Sequence, residues 1–222
     1  MGKGRTRAWL AAMMVGIAWV GGAGRENARA SEPSIPRQDP AGPFLIFRVH
    51  DYADLSGSTL SRIEAEATKV LETAGIGSRW EAPVAHRPAS REDGAAGACV
   101  PVIDVNLLSE PMAGHIHLPD AALGYSAPAS GTGFPKRVSV LYSHALQVEK
   151  VIPASLDQLL GYVIVHEVGH VLLPSAPHSA SGIMRAEWEL KDLVRISQGR
   201  LYFDAQQSAA MRAEVAACRH GP

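Results

Sequence analysis

Between His166 and Met184 the chain reads HEVGHVLLPSAPHSASGIM, a run that gathers three histidines, a glutamate and a methionine. Residues four apart lie one above the other on a helix, so His166 and His170 can aim imidazole nitrogens at a single ion. Glu167 sits one position round, badly placed to bind that ion but within reach of a water on it. The H-E-x-x-H spacing therefore offers two neutral ligands and a general base. A catalytic zinc needs a third protein ligand and keeps its fourth position open. His178 is the candidate, because Pro174 ends the helix and the following residues can turn back to present His178 from a loop. Glu187 and Glu189 are alternative third ligands, and two half-buried histidines bonded within a plain core helix are the alternative to any metal site.

On those residues the run resembles the zinc-binding region of the metzincin metallopeptidases, most of all the matrixin branch. There the third histidine is followed by serine and then by a turn that carries methionine. The matching positions here are His166, Glu167, His170, His178, Ser179 and the turn Ser181, Gly182, Ile183, Met184. The resemblance implies Zn2+ as cofactor and Met184 as an apolar floor beneath it. It also implies an extended polypeptide substrate paired along an edge strand, here Leu123, Gly124, Tyr125 and Ser126. The sequence departs from the family in its spacing: the family pattern H-E-x-x-H-x-x-G-x-x-H has its third histidine ten residues after the first, whereas His178 stands twelve beyond His166. Leu173 occupies the place of the glycine that ends the family's helix. Arg185 and Ala186 follow Met184, without the tyrosine that some branches use as a further ligand, and the family's calcium and structural-zinc loops are not recognisable.

The elements that must position these groups are legible in outline. Residues 44–49 (FLIFRV) are a short apolar run rich in branched and aromatic side chains, which reads as a buried strand. Leu60, Ile63, Ala67, Val70 and Leu71 then recur at helical spacing behind a capping box of Ser61 and Glu64, until Gly75. Residues 78–82, 100–108 and 137–142 read as further strands, and 116–118 and 123–126 as brief edge-strand candidates. Were 116–118 a strand, His115 and His117 would share a face, but without carboxylates nearby they read as surface residues. Ser155 and Gln158 make a capping box that opens the histidine-bearing helix, and Leu156, Leu159, Leu160, Val163 and Ile164 give it a broad apolar face. A last amphipathic stretch covers 204–218. The expected fold is α+β and sandwich-like: a mixed twisted sheet of about five strands, an active-site helix and a C-terminal helix.

At the scale of the chain, 222 residues with 46% hydrophobic content suffice for one domain. Lys3, Arg5 and Arg7, the apolar residues 8–23 and the triplet Ala28-Arg29-Ala30 read as a signal peptide over 1–30, an uncleaved anchor being the alternative. Residues 31–43 form a Pro-rich lead-in, and 44–222 the metallopeptidase-like domain. Cleavage after residue 30 would remove five of the 21 Lys and Arg and one of the 22 Asp and Glu, leaving a net charge of −5. A mildly acidic chain without a basic run gives no support for nucleic-acid or lasting membrane partners. Cys99 and Cys218 can close one disulfide in an exported chain. The expectation is a monomeric, secreted or periplasmic zinc endopeptidase with Glu167 as base. An exported zinc-binding module without catalysis and a zinc hydrolase acting on a cell-wall amide are the rivals.

Overall fold

The computed structural model describes residues 42–82, 101–119, 122–127, 136–173 and 178–219. The expected signal peptide over 1–30 and most of the lead-in lie outside them. The chain runs β1 (Phe44–Asp51), α1 (Gly57–Thr73), β2 (Gly77–Glu81), β3 (Val102–Leu108), α2 (Glu110–Ala113), β4 (Gly124–Ala127) and β5 (Lys136–Leu141). Four helices follow: α3 (Tyr142–Glu149), α4 (Leu156–Leu172), α5 (Leu190–Ser197) and α6 (Ala205–Arg219). The strands form one sheet in the order β2-β1-β3-β5-β4, parallel throughout except for β4, which runs antiparallel to β5 at the edge. This is the α+β architecture with a five-stranded mixed sheet.

Strand alternation builds the core. Register places Phe47 beside Ile103, Val49 beside Val105, Val105 beside Val138 and Leu107 beside Val140, so these buried side chains line one face in rows. The intervening residues Arg48, His50, Asp104 and Asn106 are only half-buried and carry polar pairs such as His50 with Asp104 at 3.7 Å and Asn106 with Ser139 at 3.3 Å. α1 contributes Ile63, Ala67, Val70 and Leu71 to the core, and α4 is buried almost all round from Leu159 to Leu172. A helix buried on every side shows little amphipathic contrast, which suits a central element.

Several expectations shift by physical detail. α1 starts four residues before Ser61: Ser56 is its N-cap, accepting from the Thr59 N–H at 3.2 Å, while the Ser61 hydroxyl donates to the Gly57 carbonyl. The capping box of Ser155 and Gln158 on α4 is formed in both directions. Residues 116–118 are not a strand, and His115 and His117 are exposed. The short helices α2, α3 and α5 were not foreseen, because elements of four to eight residues carry too little periodicity to separate from loop.

Candidate metal centre

α4 carries His166, Glu167 and His170, and it ends where the sequence requires. Leu172 is its last residue, and Leu173 leaves the helical region at φ −118 and ψ 61, as a residue before proline does. Lys136, buried at the start of β5, donates from Nζ to the carbonyl of Val171 at 2.8 Å and to Glu214 Oε1 of α6 at 3.0 Å. A cation there satisfies one of the carbonyls that a helix C-terminus leaves without an internal partner. Residues 174–177, including the Pro174 turn, lie outside the described residues.

His178 arrives beside the helical pair. Its Nε2 lies 3.0 Å from His170 Nε2, which lies 3.1 Å from His166 Nε2. The three histidines form a group whose ligating atoms all lie within 4.8 Å of one another. Burial falls along the series: His166 is buried, His170 half-buried and His178 exposed, so the centre opens to solvent on the His178 side. The strand-like bridge between Ser179 and Arg185, with the Ser179 N–H donating to the Met184 carbonyl at 2.7 Å, ties the residue after His178 to the methionine turn. Arg185 N–H closes that turn on the Gly182 carbonyl at 3.2 Å.

The donor set fits a cation. His166 Nδ1 lies 2.7 Å from the Ile183 carbonyl, which can only accept, so Nδ1 carries the hydrogen and a neutral His166 keeps a lone pair on Nε2. A proton on His170 Nε2 could serve one of its two nitrogen neighbours, leaving the other contact as lone pair against lone pair. A shared cation resolves that conflict. Tetrahedral zinc at about 2.0–2.1 Å from each nitrogen would set them about 3.3 Å apart. Burial, and then the neighbouring imidazoles His170 and His178, pull the His166 pKa down from 6.5 to about 4 against the Ile183 bond that raises it. Burial likewise lowers that of His170, with His178 adding to the effect. Neutral imidazoles are the form that binds metal.

Glu167 is 6% exposed, and burial raises its carboxyl from 4.5 to about 7, opposed by a hydrogen bond from the Ser126 side chain. Its approach to β4 depends on Gly124, where a Cβ would stand 3.1 Å from Glu167 Cγ and 2.9 Å from the Ser139 carbonyl. Met184 is fully buried, with its Sδ so close to Gly169 that a Cβ there would lie 2.3 Å away. The methionine thus packs on the helix between the turns that carry His166 and His170. Gly169 permits that approach, and the sequence showed it only as an unassigned x of H-E-x-x-H.

Of the other expected residues, Leu123, Gly124, Tyr125 and Ser126 fall at β4, whose element begins at Gly124. Glu187 is exposed and stands apart from the histidine group, and Glu189 caps α5 and pairs with Arg185 and Lys191. Neither joins the centre. Cys218 is disulfide-bonded, and Cys99 lies outside the described residues. Sequence reasoning missed Trp188, Ser126 as a partner of Glu167, and the Ile183 carbonyl. A tryptophan shortly after a turn gives no periodic signal, and a backbone acceptor gives none at all.

No family model and no curated protein matches this sequence. Among solved structures, the crystal structure of archaemetzincin from Methanopyrus kandleri is similar over 82% of this chain and 99% of that chain, at 13% identity and a TM-score of 0.44. What the centre can do rests on its own side chains.

Proposed function

We propose that this chain is an exported zinc-dependent endopeptidase, metzincin-like and nearest in motif to the matrixin branch. One observation carries the reading: three imidazole Nε2 atoms converge beside a buried glutamate on the same helix. Three neutral nitrogen ligands with room for a fourth group suit zinc held for catalysis. When bound, zinc would supply Lewis acidity, acidifying a water toward a pKa of about 7 and polarising a carbonyl.

The remaining work falls to the protein. His166, held by the Ile183 carbonyl, His170 and His178 supply the ligand nitrogens. Glu167, with a carboxyl near neutrality, is suited to take a proton from the attacking water onto an Oε and return it to the leaving nitrogen. β4 lies at the end of the sheet, paired only with β5 among the described residues, so its other edge is available to an extended peptide. Gly124, Tyr125 and Ser126, with Leu123 before them, would bind substrate main chain there. Pairing through the backbone favours a polypeptide over other amides. Met184 floors the centre, and the Cys218 disulfide suits a secreted or periplasmic chain.

The test is cleavage of casein and of purified cell wall by wild type and Glu167→Ala, with zinc measured in both. The reading requires zinc in both proteins and casein cleavage in wild type alone. Cleavage of cell wall and not casein would make it a hydrolase of another amide. Zinc without cleavage of either would make it a binding module.

A further inference from the structure

Trp188 lies between the methionine turn and α5, and no role in the proposed chemistry accounts for it. Its indole N–H donates to the Ile183 carbonyl at 3.0 Å, the same oxygen that accepts from His166 Nδ1 at 2.7 Å. Its ring stands perpendicular to that of His166, with centroids 5.7 Å apart. The segment carrying it is braced from both ends. Arg185 pairs with Glu189 and, at 3.3 Å, with the fully buried Asp192, and the Glu189 N–H donates to Asp192 Oδ2 at 3.1 Å. An oxygen with two lone pairs, one taken by a rigid indole, presents the other to the imidazole in a fixed direction.

We infer that Trp188 is a positioning residue for the metal centre: through the Ile183 carbonyl it fixes the tautomer and tilt of His166, so that Nε2 faces the ion. The inference rests on the zinc reading and extends it to a residue that touches neither metal nor substrate. Partners of this kind are worth about 10–100-fold in metal affinity. The indole is also close enough to report the site, since a bound Co2+ quenches tryptophan emission at short range.

The decisive variant is Trp188→Phe, which keeps an aromatic ring and deletes the N–H. The metal-stripped full chain, wild type and variant, is titrated with Co2+ alone, following affinity, visible absorption, emission and melting temperature. Affinity is expected to fall about tenfold or more, with an altered Co2+ spectrum. Affinity within twofold of wild type and an unchanged spectrum, even with a lower melting temperature, would overturn the inference and leave the zinc reading intact. Failure of wild type itself to bind Co2+ would overturn both.

Discussion

At the scale of the residue, Glu167 and His166 pull stability in opposite directions with pH. Burial holds the Glu167 carboxyl at about 7, above its ordinary 4.5, so between those values the folded chain binds the extra proton and stability falls as pH rises. Burial holds His166 at about 4, below 6.5, so the unfolded chain binds the extra proton and stability falls as pH drops through that window. Glu167→Gln removes only the first effect. In metal-free protein the variant should therefore be more stable than wild type at pH 8, by up to about 3 kcal/mol, with the difference fading toward pH 4.5. Melting curves across that range check it, and a constant offset at every pH would contradict it. Gly169 makes a second test: the methyl of Gly169→Ala would drive into Met184 and should destabilise by about 1–3 kcal/mol, read in urea unfolding. The clustered histidines and Glu167 were visible in the sequence because the H-E-x-x-H pattern fixes residue type and spacing together. Gly169, Ser126 and Trp188 were not, since each matters through a contact made only once the chain is folded.

At the scale of the element, α4 is held at both ends by devices of different legibility. The Ser155 and Gln158 box at its start is local and was readable. The clamp at its end, Lys136 on the Val171 carbonyl and Glu214, joins β5 to α4 and α6 across a long stretch of sequence that no local pattern records. Replacing Lys136 with methionine removes both bonds and should cost about 1–3 kcal/mol, and it should weaken zinc binding because His170 lies in the last turn of α4. Equilibrium unfolding and a zinc titration together test this; lost stability with unchanged zinc affinity would confine Lys136 to the fold. The same contrast explains the sheet. Runs such as FLIFRV announce strands, whereas α2, α3 and α5 are too short to announce themselves, and α1 is capped by a serine outside its own hydrophobic pattern.

At the scale of the whole molecule, the described parts act as a frame that closes one loop on one helix. The parallel core of β1, β3 and β5 supports α4, β4 flanks Glu167, and the Ser179 to Met184 bond ties the residue after His178 to the methionine turn. α6 packs through the buried Met211 and Val215 and carries the disulfide-bonded Cys218 one residue before its end. Reduction should lower stability by up to about 5 kcal/mol on the chain-entropy account, seen as a fall in melting temperature with reductant. Zinc K-edge absorption on the zinc-loaded chain shows whether His166, His170 and His178 hold one zinc. One zinc per chain is expected, with three imidazole nitrogens at about 2.0–2.1 Å and an oxygen as fourth ligand, and loss of one imidazole in His178→Ala. A spectrum unchanged by His178→Ala would contradict it.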